Sequence, residues 1–310
     1  MTINIIEYNY PHKALYTYKN GNGLVFIYND GSRVIKYEGD SFEPDFPLNI
    51  DIRVSSKCSF GMNPKGKAVC YFCHESARTD GEVGDYYWII NKLKESNIPS
   101  GVELAIGANH IDSAFIEFLI DCRRNGWITN VTVNHGHIAR DLENIQFVID
   151  NNLIFGLGVS YRSSFSNRYI ELISGYKNCV AHVIIGIDSI KDIMELKGYG
   201  VNKILVLGEK DFGFNAAKVN TDSKLHKDWR ENVYSLLDVF DVVSFDNLAL
   251  EQLNIRDRLS DKDWAVFYQG EHSMYLNAVT KTFSRSSRDS QIYAATGTIS
   301  TFFKEVCCST

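Results

Sequence analysis

Three cysteines in the first quarter of the chain have the residue type and spacing of a metal site. Cys70 and Cys73 form a Cys-x-x-Cys pair, and eleven residues separate Cys58 from Cys70. The pair places two thiolates on one tight turn, and a third cysteine on a long loop can fold back to meet them. Three thiolates on a four-iron cluster leave one iron without a protein ligand, where a small molecule can bind and be activated. The stretch therefore predicts a three-thiolate metal site.

Two other interpretations of these residues are open. His74 follows Cys73 directly, and mixed sulfur and nitrogen ligands at short spacing are common in structural zinc sites. The protein would then be a zinc-stabilised binding protein. A redox Cys-x-x-Cys pair is less favoured, because that motif normally opens a helix of a thioredoxin-like unit and Cys58 would have no role.

The elements around the cysteines predict an α/β fold. Ile50, Ile52 and Val54 alternate with polar residues as in a strand, and the chain after the cysteines alternates helical and strand patterns. Six strands separated by helices favour parallel pairing, closed or partly closed into a partial (βα)6 barrel. Predicted helices cover 82–96, 111–125, 138–150, 169–176 and 190–199, and the strands that follow the cysteine strand cover 102–108, 128–134, 153–160, 180–187 and 202–208.

Two flanking segments complete the predicted organisation. Residues 1–48 contain three runs rich in Tyr, Val, Ile and Phe between Asn-Gly and Asp-Gly turns, which predicts a small antiparallel β meander. The barrel domain is expected at 49–247; it includes a helix over 223–240, and the pattern does not decide whether VVSFD after it is a seventh strand. Residues 248–310 are predicted as a helix plus a hairpin over 264–287 that packs across the barrel mouth.

A strand, a loop with three cysteines that closes as Cys-x-aromatic-Cys, and a following helix resemble the cluster loop of the radical S-adenosylmethionine (SAM) superfamily. Most members have three residues between the first two cysteines, and longer loops occur in some branches. The resemblance implies a 4Fe-4S cluster on Cys58, Cys70 and Cys73, SAM as a second cofactor, and an external one-electron donor of the flavodoxin or ferredoxin type. It also implies reductive cleavage of SAM to a 5′-deoxyadenosyl radical that removes hydrogen from a substrate, which the sequence leaves open between a peptide, a nucleotide and a small metabolite.

The resemblance also places candidate residues at the ends of successive strands. The second strand of the family usually ends in Gly-Gly-Glu, which meets the amino group of SAM, and here Gly107, Ala108 and Asn109 occupy that place. On the fifth strand only Ile184 and Gly186 match the adenine-binding motif. The expected cofactor-binding residues are Phe72, Gly107, Ala108, Asn109, Asn134, Ser160, Arg162, Ile184, Gly186 and Leu207.

Candidate catalytic residues are fewer. Tyr161, Arg162 and Lys210 follow predicted strands, where α/β barrels carry their active sites. Cys308 belongs to a terminal pair with Cys307 and is a candidate hydrogen-atom or proton donor. The simpler interpretations are a solvated surface Arg162 and a mobile terminal segment.

Composition limits the class of protein. The 310 residues are 45% hydrophobic with a formal net charge of −6, enough for one barrel or two smaller domains and without an overall charge that predicts nucleic-acid binding. No apolar run approaches the roughly 20 residues that span a bilayer, and the start lacks the features of a signal peptide. We therefore expect no membrane association and a cytoplasmic protein. Its seven cysteines are then expected as ligands, buried residues or reactive thiols.

Overall fold

The computed structural model describes residues 13–216, 218–261 and 272–308, which form two sheets with helices between the strands. The smaller sheet is the predicted meander: β1 (Tyr16–Asn20), β2 (Gly23–Ile27) and β3 (Arg33–Tyr37) pair antiparallel in sequence order. Gly21 turns the chain between the first two strands at φ +57°, and a Cβ there would lie 1.7 Å from the carbonyl oxygen of Glu43. The first turn therefore requires glycine.

The larger sheet has ten strands, eight of which are neighbours in parallel register. Its strand order is β11-β10-β9-β8-β7-β6-β4-β12-β13-β14, and the last two strands pair antiparallel. The strand β5 lies outside this sheet. The bounds are β4 (Asn49–Arg53), β5 (Lys57–Met62), β6 (Glu103–Ala108), β7 (Ile128–Asn134), β8 (Gly156–Ser160), β9 (Cys179–Ile184), β10 (Lys203–Leu207), β11 (Val242–Phe245), β12 (Ser273–Asn277), β13 (Thr282–Ser284) and β14 (Tyr293–Ala294).

Helices connect most of the parallel strands, and polar side chains cap several of their N-termini. Asp85 accepts a hydrogen bond from the backbone N–H of Trp88, and Asp112 accepts one from Phe115, as N-cap residues do. The bounds are α1 (Tyr86–Glu95), α2 (Ser113–Arg124), α3 (Ile138–Asp150), α4 (Arg168–Ser174), α5 (Ile190–Met194), α6 (Lys224–Asn232), α7 (Asn247–Gln252) and α8 (Ile299–Phe302).

The hydrophobic core lies between the parallel strands and these helices. Ile50 and Ile52 of β4 and Leu104 of β6 are buried there, together with Ile89 of α1 and Phe115 of α2. Burying a side chain of this size stabilises the fold by about 1.5–3 kcal/mol. Because successive residues of a strand point to opposite faces, the strand residues between these apolar ones point away from this core.

Several elements differ in extent from the prediction. The helices expected over 190–199 and 223–240 continue past Met194 and Asn232 as 3₁₀ turns, Glu195–Tyr199 and Val233–Asp238. The cysteine stretch is less of a loop than expected, because Cys58 lies on β5. The next α-helix begins only at Tyr86.

The sheet has two parallel strands more than the six predicted. VVSFD contributes β11, paired with β10, which resolves the open question about a seventh strand. The C-terminal hairpin consists of β12 and β13 with a turn over 278–281, whereas the first part of the hairpin predicted over 264–287 lies outside the described residues. The hairpin was expected to pack across the mouth; instead β12 pairs with β4, because the buried Met274 and Leu276 continue its apolar face.

The described helices also bear on membrane association. Within residues 13–216, 218–261 and 272–308, none combines the length and the apolar character needed to cross a bilayer.

Candidate cofactor and substrate site

A cavity of about 350 Å³ opens at the carboxyl ends of the parallel strands. Its walls come from β4, β6, β7, β8, β9 and β10, from β12, and from the segment that carries the three cysteines. Most residues singled out in the sequence therefore face one space. They are Cys58, Cys70, Phe72, Cys73, Gly107, Ala108, Asn109, Asn134, Ser160, Tyr161, Arg162, Ile184, Leu207 and Lys210.

The three predicted cluster ligands share one wall of this cavity. Cys58 extends from β5, and Cys70 and Cys73 lie on a turn in which the backbone N–H of Cys73 donates to the carbonyl of Cys70 over 3.2 Å. Burial is the main cause that raises the pKa of all three thiols, and at Cys70, where the Cys73 and Cys58 thiols add to it, the pKa rises to about 11. Thiolates at these positions therefore require a positive partner such as a bound metal.

The side-chain types on this wall suit a cluster. Within the described ranges no three Cys, His, Asp or Glu side chains form a group that could hold one metal ion as they stand. In a 4Fe-4S cluster each cysteine binds a different iron, so its ligands do not meet at one point. The donor set, three cysteines on one cavity wall, fits such a group.

Arg162 connects the end of β8 to the cysteine segment. Its guanidinium lies over the ring of Phe72, 4.6 Å from the centroid, and over Tyr71 at 5.7 Å. Its Nε is 3.6 Å from a carboxylate oxygen of Asp188, whose other oxygen accepts hydrogen bonds from Ser163. The Arg162 side chain is only 14% exposed, so it is not the solvated surface arginine of the simpler interpretation.

The end of β6 combines open space with a fixed amide. A Cβ on Gly107 would meet no atom within 4 Å, so the backbone there is open to close approach by a ligand. The side-chain amide of Asn109 donates to the carbonyl of Lys57 over 3.0 Å. Asn109 thus holds the start of β5 against β6.

A polar group that the sequence analysis missed lies on the wall formed by β4 and β12. Arg53 forms an ion pair with Glu75 at 3.0 Å, and the hydroxyl of Tyr275 donates to the same carboxylate at 3.1 Å. Burial raises the pKa of Glu75, but hydrogen bonding from His74 and the charges of His74 and Arg53 outweigh it and lower the pKa to about 2. Arg53 alternates with the buried Ile52, and this alternation could have identified it.

Asp51 and Lys210 lie on the same side of the cavity. Burial is the main cause of both shifts: it raises the pKa of Asp51 and lowers the pKa of Lys210. Asp51 accepts a hydrogen bond from the amide of Asn49 at 2.9 Å, and the Lys210 ammonium donates to the hydroxyl of Ser287 at 3.3 Å. This region of the cavity is therefore polar and charged.

Two predicted residues do not line the cavity. Gly186 lies behind the wall at φ +79°, where a Cβ would be 2.1 Å from the ring of His226. Cys308 is exposed at the end of the C-terminal helical segment, and its buried neighbour Cys307 lines a second, adjacent groove. The roles expected for Gly186 and Cys308 stay predictions.

The fold of this chain is similar to that of SuiB from Streptococcus suis. The structure of SuiB bound to S-adenosylmethionine matches with a TM-score of 0.60 and 12% sequence identity, covering 86% of this chain and 67% of that chain. The structure of SuiB bound to the precursor peptide SuiA matches with a TM-score of 0.61 and 11% identity, covering 86% and 68%. No family model matches this chain, and neither does any curated protein sequence. At these identities the likeness shows a shared fold.

Proposed function

We propose that this protein is a radical SAM enzyme that holds a 4Fe-4S cluster on Cys58, Cys70 and Cys73 and binds SAM beside it. The observation that carries the proposal is that the three thiols line the same cavity as the strand-end residues expected to contact SAM. Two independent parts of the sequence, the cysteine spacing and the strand ends, thus converge on one space. The shared fold with a protein solved in complex with S-adenosylmethionine supports the assignment.

The residues of the cavity have distinct roles in this proposal. When bound, the cluster supplies one electron to the SAM sulfonium, and the resulting 5′-deoxyadenosyl radical removes hydrogen from the substrate. Arg162 places a cation near the SAM carboxylate, and the open backbone at Gly107 receives the methionine portion. Phe72, Ile184 and Leu207 exclude water from the reacting groups.

The domain organisation follows the same proposal. We place a partial barrel over 49–247, curved so that the ends of β4 to β10 surround the cavity, with the N-terminal meander over 1–48 beside it. The segment 248–310 extends the barrel sheet through β12 and supplies Tyr275 to the cavity. The cavity lining, drawn from seven strands, supports this curvature.

A peptide is the substrate class that we propose first, because SuiB has been solved with a precursor peptide bound. All seven cysteines are free thiols. Of the four that do not lie on the cavity wall, only Cys307 and Cys308 are close to each other in the sequence. The proposed reaction therefore needs one cluster, one external flavodoxin- or ferredoxin-type donor and a reducing compartment such as the cytoplasm.

Anaerobic reconstitution with iron and sulfide tests the cluster. We expect about four iron and four sulfide ions per chain in the wild type, as in other 4Fe-4S proteins. The Cys58→Ala, Cys70→Ala, Cys73→Ala triple variant should bind none, while Cys122→Ala and Cys179→Ala, which change cysteines buried elsewhere, should retain them. Reduction in the presence of SAM should then yield 5′-deoxyadenosine. A chromophore that survives the triple change contradicts the proposal, and stoichiometric zinc without iron uptake favours the zinc-stabilised alternative.

A further inference from the structure

A second groove of about 1100 Å³ adjoins the cofactor cavity. It is bounded by the start of α7, the start of β12, the segment 285–291 and Cys307. Asp51, Lys210 and Ser287 line both spaces, so a molecule in the groove reaches the cofactor cavity across these three side chains. The C-terminal segment builds most of this groove.

Three cations converge on the groove: Lys210, Arg285 and Arg288. In the part of the chain that the structure describes, none of them forms an ion pair. The Nε atom of Arg285 is buried and, among the described residues, has no hydrogen-bond partner. A buried guanidinium nitrogen without an acceptor is costly, so its position indicates a ligand that supplies one.

Four acidic residues also line the groove, and each has interactions within the protein: Asp51, which accepts from the amide of Asn49 at 2.9 Å, Asp246, Glu251 and Asp289. One carboxylate oxygen of Asp246 accepts hydrogen bonds from the backbone of Gly208 at 2.9 Å and Ala249 at 2.7 Å. Asp289 accepts one from Gln291 at 2.9 Å, and Glu251 also has interactions within the protein. Asp246 and Asp289 therefore stabilise local backbone, whereas Arg285 keeps a buried donor that has no acceptor among the described residues.

The positive charge of Lys210, Arg285 and Arg288 is opposite in sign to the net charge of the whole chain. The chain carries a formal net charge of −6, so a cluster of three cations is a local feature and not a consequence of a basic composition. The groove as a whole is of mixed sign, because Asp51, Asp246, Glu251 and Asp289 also line it, so an oxyanion would be held by these three side chains and not by an overall positive groove. Arginine pairs with carboxylate or phosphate oxygens through a planar fork of donors.

We propose that Arg285, Arg288 and Lys210 bind an oxyanion of the substrate, a carboxylate or a phosphate, and so hold the group to be modified at the boundary with the cofactor cavity. The claim that the oxyanion belongs to the substrate rests on the proposed function, whereas the presence of an oxyanion site does not. Within that function, the carboxylate of an acidic peptide side chain is the expected source, and a phosphate group would satisfy the same donors.

Calorimetric titration of the full-length, reconstituted protein tests the site. The probes are a capped peptide of glutamates, its glutamine counterpart and inorganic phosphate. We expect the glutamate peptide or phosphate to bind, more weakly as salt rises, and the glutamine peptide not to bind. The probe that binds identifies the source of the oxyanion. If neither anionic probe binds, or if the glutamine peptide binds equally well, the proposal is wrong.

Charge removal assigns the binding to these residues. Arg285→Gln combined with Arg288→Gln should weaken oxyanion binding about tenfold to a hundredfold, the effect of losing charge-assisted hydrogen bonds. Arg124→Gln, on the exposed face of α2, is the matched control and should bind as the wild type does. Unchanged affinity in the double variant overturns the assignment.

Two further measurements keep the test decisive. Arg288 is exposed, so Arg288→Gln alone should fold even if the loss of Arg285 does not permit folding, and it should still weaken binding. Titration of the same samples with SAM examines the proposed function separately. If the wild type binds the oxyanion but not SAM, the oxyanion site is supported and the radical SAM assignment is contradicted. If it binds SAM but not the oxyanion, only the oxyanion site is contradicted.

Discussion

The side-chain amide of Asn134 donates a hydrogen bond to Sγ of Cys70, with 3.7 Å between nitrogen and sulfur. Its carbonyl oxygen accepts from the backbone of Gly136 at 2.9 Å, which fixes the orientation of the amide at the end of β7. The sequence placed Asn134 among the residues expected to contact SAM. In the structure its donor points to a proposed cluster ligand, while the residue also lines the cavity, and the contact with SAM stays a prediction.

Removing this hydrogen bond should change the reduction potential of the reconstituted cluster. Hydrogen bonds to the sulfurs stabilise the more negative, reduced state, so Asn134→Ala should lower the potential. A difference of about 1.4 kcal/mol between the two oxidation states corresponds to about 59 mV in a one-electron couple. Redox titration followed by electron paramagnetic resonance, without SAM, measures the shift.

Asn109→Ala is the matched control for Asn134→Ala. Asn109 lines the same cavity, but its amide donates to backbone carbonyls and not to a thiol. A shift of equal size in both variants would show that the hydrogen bond to Cys70 has no specific effect.

Arg162 should be sensitive to the shape of the cation as well as to its charge. Arg162→Lys keeps the charge but loses the planar group over Phe72, and Arg162→Gln loses both. Cation–π contact contributes about 0.5–2 kcal/mol and a hydrogen bond to a charged group about 1.5–3 kcal/mol, so we expect SAM binding to weaken about tenfold or more. Equilibrium dialysis with the reconstituted protein measures this.

Arg168→Lys provides the comparison for Arg162. Arg168 also lies over an aromatic ring, that of Tyr169 at 5.8 Å, but it does not line the cavity. Its replacement should leave the SAM affinity unchanged. If both lysine variants bind SAM as the wild type does, Arg162 has no direct role in binding.

Gly186 should affect stability, because its backbone is left-handed and its neighbour is close. An alanine at this position is destabilised by about 1–2 kcal/mol because of the backbone at φ +79°, and by about 1–3 kcal/mol more because its Cβ overpacks against His226. Gly186→Ala should therefore lower the free energy of unfolding by about 2–5 kcal/mol in denaturant titrations. At Gly175 φ is −66° and a Cβ would meet nothing within 4 Å, so Gly175→Ala should be neutral or slightly stabilising. Equal stability of both variants would contradict this account of Gly186.

His182 should make the fold sensitive to acid. Burial lowers its pKa to about 4, whereas an unfolded histidine titrates near 6.5. Between these values the unfolded chain binds more protons, so the free energy of unfolding falls as pH falls, by up to about 3 kcal/mol from this residue.

Denaturant titrations at pH 7 and pH 4.5 measure the contribution of His182. The loss of stability between these pH values should be smaller in His182→Gln than in the wild type. Thr132 and His182 both lie beside Gly158, but threonine does not titrate. Thr132→Val should therefore keep the wild-type pH dependence. An unchanged dependence in His182→Gln would exclude this histidine as a cause.

Local patterns in the sequence were sufficient for six of the eight parallel strands and for the cysteine wall. Ile50 and Ile52 alternate as a buried strand requires, and the predicted helix over 138–150 has the bounds of α3. The strand ends then placed Gly107, Asn134 and Arg162 around one cavity, because parallel strands bring their carboxyl ends together. These features depend on short-range periodicity.

The rest depends on contacts between distant parts of the chain. Nothing in the pattern around Tyr275 indicates that it pairs with Asp51, and without that pairing the group formed by Arg53, Glu75 and Tyr275 could not be recognised. The position of Lys210 beside Ser287 has the same origin. Long-range strand pairing, not local propensity, determines this side of the cavity.

The pairing of β12 with β4 also has a consequence for biogenesis. During synthesis on the ribosome, β4 emerges before its partner Ser273–Asn277, which follows all the other parallel strands in the sequence. Until then β4 presents an unpaired edge, which favours aggregation, and the cavity lacks the wall that carries Tyr275. Iron–sulfur delivery by assembly factors is therefore expected to follow the emergence and pairing of β12, and chaperone protection of the nascent edge should increase the yield of holoprotein.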